Sequence, residues 1–216
     1  MGETTENQND PESGDSRLRD VYEVKGADAA AAFYDDWAEG YEAEVSANGY
    51  ATPKRCAETL AAHAALPWAP IMDLGCGTGL SGLALKAAGF ECIDGFDISP
   101  QMLSKARDKG VYRDLTIADL SQPLAVEEGI YQNAAAIGAI SPDYMPATVL
   151  DDILGKLPSG GCLVFSVNDK SAADGSIVGR INDLIDSGYV ELLFAEHGEH
   201  LPGIDLRSTV YLLRRR

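Results

Sequence analysis

The run Ile71-Met72-Asp73-Leu74-Gly75-Cys76-Gly77-Thr78-Gly79 concentrates the residue types that can do chemistry. A short apolar strand ends in an acid, glycines follow at every second position, and a helical stretch runs from Leu80 to Ala88. Glycine reaches backbone conformations closed to other residues and has no Cβ, so a ligand can approach the main chain closely and meet its N–H groups. Carboxylates recur after two later apolar runs. Gly95-Phe96-Asp97-Ile98-Ser99 puts Asp97 at a strand end, and Ile117-Ala118-Asp119-Leu120 puts Asp119 after the next strand. Ligands of an open parallel sheet sit beyond the C-terminal ends of its strands, near the switch in strand order. A carboxylate placed there can accept from both hydroxyls of a ribose. Ser99 before Pro100 suits a helix N-cap better than Asp97 does, which leaves Asp97 for a ligand.

The elements that must position these groups alternate. Strand-like runs at 70–74, 91–97, 114–118, 133–138 and 161–167 are separated by helical stretches at 79–89, 100–108 and 146–156. This order predicts an α/β fold, a doubly wound and mostly parallel sheet with helices on both faces. A helix at 174–187 and strands at 189–195 and 206–214 follow, the last two joined through Gly198, Pro202 and Gly203 as an antiparallel pair, giving seven strands in all. Upstream, 27–47 reads as one helix on which Tyr34, Trp37 and Tyr41 share a face, and Pro53 opens another that runs to about Leu66. Residues 1–25 are polar and acidic and are expected to be a disordered tail; 26–216 form one domain, with 26–66 as a helical lid.

A chain of 216 residues suffices for one α/β core, and its net charge of −17 opposes contact with nucleic acid phosphates and anionic membranes. A small-molecule substrate is therefore expected, with nucleic acid and membrane partners disfavoured. Cys56, Cys76, Cys92 and Cys162 form no C-x-x-C pair, which suits reduced thiols and a cytoplasmic protein. His63, His197 and His200 supply no metal set, and His197-Gly198-Glu199-His200 reads as polar surface, so no metal is expected. No apolar stretch is long enough for a membrane span.

The segment Asp73-Leu74-Gly75-Cys76-Gly77-Thr78-Gly79 resembles motif I of the class I S-adenosylmethionine-dependent methyltransferases, a signature specific to that superfamily. Tyr34-Asp35-Asp36-Trp37-Ala38, the glycine loop, Asp97-Ile98-Ser99-Pro100-Gln101-Met102-Leu103 and Ile137-Gly138-Ala139-Ile140 are similar to the methyltransferase-like proteins of the Williams–Beuren region type. The resemblance spans about Ala32 to Asp169. It implies S-adenosylmethionine as cofactor and S-adenosylhomocysteine as product. It also implies that Gly75, Cys76 and Gly77 pass under the amino-acid part of the cofactor, that Asp97 holds the ribose, and that Ile98 and Met102 pack on the adenine. Asp119 would meet the adenine amino group, with Leu120 beside it and Ala139 near the reacting centre. Tyr34 and Tyr41 would reach cofactor or substrate from the lid, and Trp37 would pack. Leu157-Pro158-Ser159-Gly160-Gly161 is similar to the family's turn before the fifth strand, whereas Tyr131-Gln132-Asn133 departs from the family by lacking an acid before the fourth. Ser141-Pro142-Asp143-Tyr144 only echoes the signature of amino-group methyltransferases acting on bases, since a second proline is absent.

Methyl transfer from a sulfonium needs alignment and exclusion of water more than a catalytic side chain. Where the acceptor must lose a proton, Asp143, Tyr144 and His197 are the candidate bases. A domain that binds the cofactor without turnover, as a sensor or partner, fits the same residues. Gly77-Thr78-Gly79-Leu80-Ser81-Gly82 also satisfies the G-x-G-x-x-G pattern of NAD-binding oxidoreductases, but its glycines start late after the strand and Asp73 sits where such strands are apolar.

Overall fold

The computed structural model describes residues 17–64, 66, 68–143 and 145–216. Its centre is a seven-stranded sheet of β1 (Ile71–Leu74), β2 (Ile93–Asp97), β3 (Asp114–Ile117), β4 (Asn133–Ala136), β5 (Cys162–Asn168), β6 (Val190–Leu201) and β7 (Leu206–Arg215), in the order β3-β2-β1-β4-β5-β7-β6. β1 to β5 are parallel, and β7 runs antiparallel to both β5 and β6. The strand order reverses beside β1, so the glycine loop leaves the sheet at the place where such folds bind ligands.

The helices are α1 (Arg17–Asp20), α2 (Ala27–Trp37), α3 (Tyr41–Ala47), α4 (Thr52–His63), α5 (Leu80–Ala87), α6 (Pro100–Asp108), α7 (Val149–Lys156) and α8 (Ser176–Asp186). Alternation along the strands divides the core. Met72, Leu74, Phe96, Phe165, Leu150 and Ile177 pack on one face of the sheet, while Ile71, Ile93, Val164, Leu60, Leu85 and Phe90 pack on the other. β1, β2 and β4 are buried throughout, which is why they read as apolar runs without polar alternation. Tyr131, which stands near the family's missing acid, donates its hydroxyl to buried Asp94 at 2.8 Å, and Arg113 pairs with the same carboxylate.

Two expectations need correction. Residues 17–23 do not belong to a loose tail, because they fold as α1 and a short 3₁₀ turn whose Leu18 and Val21 bury against Trp37, Val45, Leu201 and Leu206. Residues 1–16, the rest of that expected tail, lie outside the described residues. The single helix expected over 27–47 is two helices. The chain turns at 38–40, with Gly40 N–H donating to Trp37 O at 3.0 Å, and glycine's low helix propensity puts the break there. Tyr34 and Tyr41 therefore approach Trp37 from different helices, with ring centroids 6.1 Å and 4.9 Å away.

Candidate functional site

Beyond the C-terminal ends of β1, β2 and β4 lies a cavity, partly open to solvent, at the place where open α/β sheets bind ligands. Gly75 leaves β1 with φ +69° and Gly77 follows at +53°, conformations that side chains resist. Gly75 and Cys76 N–H groups donate to Phe96 O at 2.8 and 3.1 Å, which pins the loop to the end of β2. Asp97 completes this joint, because one carboxylate oxygen accepts from Gly77 N–H at 2.8 Å and the other from Ser99 N–H at 2.9 Å. Burial raises its pKa, and those backbone donors oppose the rise. Ser99 caps α6 by accepting from Met102 N–H at 3.0 Å, as the Ser-Pro start predicts.

Helices α2 and α3 line one side of the cavity through Ala30, Tyr34 and Tyr41. Asp35 of α2 accepts from Ser99 Oγ and, at 3.1 Å, from Gln101 N–H, so it ties α2 to the first turn of α6. Lys105 pairs with Glu39 at 2.6 Å, and Lys109 pairs with Glu42, along the same seam. These links hold Tyr34 and Tyr41 over the loop.

Tyr34, Tyr41, Gly75, Cys76, Gly77, Asp97, Ile98, Met102, Leu120 and Ala139 all line this one cavity. Asp119 does not. One oxygen of its carboxylate accepts from Ser121 N–H at 2.9 Å and Ser121 Oγ at 2.6 Å, in a local turn. Among the candidate bases, His197 lies outside the cavity, half exposed and bonded through Nε2 to Asp169 at 2.8 Å. Asp143 is exposed and lines a second, adjoining cavity. Tyr144 lies outside the described residues. His200 is buried with Nδ1 2.7 Å from Thr52 Oγ1, so the two histidines of the 197–200 segment have separate partners.

Several lining residues escaped the sequence reading. Thr78, Leu80 and Ser81 fall between and after the glycines already singled out, and motif spacing alone could have included them. Tyr50 carries no such signal. It follows Gly49 between α3 and α4, and its hydroxyl lies against Gly138, where any Cβ would collide with it. Burial holds its phenol well above the ordinary pKa, so it remains protonated. Burial likewise raises the Cys76 thiol well above its usual range, which leaves it inert.

The residues present fit S-adenosylmethionine on two observations. Thr78 Oγ1 is buried and has no hydrogen-bond partner among the described residues, yet Thr78 lines the cavity. A Cβ on Gly77 would meet no protein atom within 4 Å, so space for a ligand adjoins the backbone there.

Comparison with known proteins agrees with this geometry. Residues 71–161 match the family described as methyltransferase domain. The chain is similar to methyltransferase-like protein 27 of Homo sapiens, 32% identical over 162 residues, covering 72% of this chain and 65% of that one. It is also similar to an 18S rRNA (guanine-N(7))-methyltransferase of Arabidopsis thaliana, 40% identical over 70 residues, covering 32% of this chain and 24% of the relative. The chain thus spans less than two thirds of either relative. Among solved structures, the magnesium protoporphyrin IX methyltransferase of Synechocystis PCC 6803 with bound S-adenosylhomocysteine shares the fold, with a TM-score of 0.58 at 16% identity over 76% of this chain and 82% of that one. Residues 71–161 are thus similar to the methyltransferase domain family, and the longer match to methyltransferase-like protein 27 extends that similarity over 162 residues.

Proposed function

We propose that this protein transfers a methyl group from S-adenosylmethionine to a small-molecule acceptor. The observation that carries the proposal is the convergence of the glycine loop, Asp97, Ile98 and Met102 on one cavity at the switch in strand order. When bound, the cofactor supplies a methyl group activated on a sulfonium. The chain's part is to bind, orient and exclude water. Asp97 accepts from the ribose hydroxyls, and Gly75, Cys76 and Gly77 run along the amino-acid portion. Ile98, Met102 and Leu120 sandwich the adenine. The lid aromatics Tyr34 and Tyr41 shut out solvent.

The small acceptor is supported by the second, adjoining cavity and by a net charge of −17, which disfavours nucleic acid even though the shorter stretch of similarity is to rRNA methyltransferases. Among the described residues no helix is long and apolar enough to cross a membrane. The free cysteines support a cytoplasmic setting. A sensor that never turns over is the second reading, and S-adenosylhomocysteine formation distinguishes it.

Asp97→Ala tests the site. Calorimetric titration with S-adenosylhomocysteine is expected to show affinity reduced by about 1–3 kcal/mol, because ribose hydroxyls lose a charged acceptor. Unchanged affinity in a folded variant removes Asp97 from the site.

A further inference from the structure

Every lysine, arginine and histidine of the chain is among the described residues, and none of them lines the cavity at the glycine loop. Lys109 comes near the loop, since a Cβ on Gly79 would lie 3.1 Å from its Cδ, but its Nζ pairs with Glu42 of α3. Lys170 and His200 line the second cavity and not this one. S-adenosylmethionine nevertheless ends in an amino acid, whose carboxylate gives up water on entering the site. A carboxylate that finds no cation there needs hydrogen-bond donors aimed at it.

The start of α5 supplies them. Thr78 is 1% exposed and lines the cavity, and its Oγ1 bonds to nothing among the described residues. Ser81 lines the cavity too, but its hydroxyl is committed to Asp73 at 2.7 Å. Of the backbone donors, Gly77 N–H goes to Asp97, Gly79 N–H to Cys76 O at 2.9 Å and Gly82 N–H to Tyr112 Oη at 3.0 Å. Those of Thr78, Leu80 and Ser81 have no partner among the described residues, and all three residues line the cavity. Gly79 holds the N-cap place of α5 with no side chain to offer these donors, which leaves them open. The positive end of the helix dipole favours an anion here and opposes the cofactor's own ammonium group.

We propose that the carboxylate of the cofactor's amino-acid part is held without a cation, accepting from Thr78 Oγ1 and from the open N–H groups at the start of α5. This inference rests on the methyltransferase reading. Thr78 thereby selects for a cofactor that carries the carboxylate. Asp73 and Asp97 are buried beside the same loop and repel a further carboxylate, so the loss of one donor is not made good by its surroundings.

The test is calorimetry on the full chain with three probes. S-adenosylhomocysteine carries the whole amino-acid part, its decarboxylated analogue lacks only the carboxylate, and methylthioadenosine lacks both charged groups. The wild type is expected to bind S-adenosylhomocysteine at least about tenfold more tightly than the decarboxylated analogue. Thr78→Val is expected to lower the affinity for S-adenosylhomocysteine about tenfold and to leave the other two affinities unchanged, while Thr78→Ser keeps the wild-type pattern. Valine matches threonine in shape and removes no side-chain bond of the ligand-free protein, so the fold is not at stake. A wild type indifferent to the carboxylate overturns the inference alone. So does a Thr78→Val protein that binds S-adenosylhomocysteine normally, or one that loses methylthioadenosine equally, which would put Thr78 on the nucleoside. A wild type that binds none of the probes overturns the underlying methyltransferase reading.

Discussion

Gly77→Val is expected to abolish S-adenosylhomocysteine binding, with affinity falling at least about a hundredfold, or roughly 3 kcal/mol. Two effects add. The backbone at Gly77 has φ +53°, where a β-branched residue is strained by about 1–3 kcal/mol. The new side chain would also enter space that holds no protein atom within 4 Å and that borders the cavity, so it displaces ligand rather than protein. Gly110→Val separates the two effects. Gly110 has φ +63° and open space around a Cβ, but lies outside the cavity. It is expected to lower stability similarly and leave the affinity unchanged. Calorimetry on both variants, with circular dichroism to confirm folding, checks the pair. Normal binding by a folded Gly77→Val protein would falsify the placement of the loop.

What could be read from sequence was what local chemistry determines. β1, β2, β4 and β5 announce themselves as short apolar runs because both faces of the sheet are covered, and the glycines after β1 have few other uses. Ser99-Pro100 marks the start of α6 because a cap and a first-turn proline are both local devices. What escaped depends on contacts distant in the chain. Tyr50 joins the cavity because its hydroxyl lies against Gly138, and nothing near Tyr50 in sequence records that contact. Leu18 and Val21 look like stray apolar residues in a polar segment until Trp37 and Leu206 cover them. Asp119 shows the converse limit. An acid after a strand suits a ligand or a turn equally well, and here Ser121 two residues on bonds one oxygen of the carboxylate.

The lid gives the site a mechanical logic that these separate observations share. Asp35 caps α6 from α2 and so couples the helix that starts after Asp97 to the helix that carries Tyr34. The seam continues through Lys105–Glu39 and Lys109–Glu42, which are partly exposed pairs and contribute little each. Trp37 of α2 and Val45 of α3 also bury against Leu201 and Leu206, where β6 ends and β7 begins, so apolar packing ties both helices to the sheet as well.

Asp73→Asn is expected to remove a pH-dependent loss of stability of about 3 kcal/mol. Asp73 is fully buried in β1. One oxygen accepts from Ser81 Oγ and Tyr112 Oη, each at 2.7 Å, and the other has no partner among the described residues. Burial dominates and pushes the carboxyl pKa up to about 6; the two hydroxyl donors oppose this and Asp97 adds to it. Below about pH 3.8 the proton is bound in the folded and the unfolded chain alike, and the group has no effect. Between there and about pH 6 the folded chain holds more protons, so stability falls as pH rises. Above that window the full penalty applies, at about 1.36 kcal/mol per pKa unit. Urea titrations of the ligand-free proteins should show the variant gaining on wild type by about 3 kcal/mol between roughly pH 3.5 and 7.5. A constant difference would mean that Asp73 ionises as readily in the folded chain as in the unfolded one. The amide oxygen of asparagine can still accept from both hydroxyls. Tyr112 Oη in turn accepts from Gly82 N–H at 3.0 Å, so this chain from β1 to α5 survives the exchange and the slope isolates the charge.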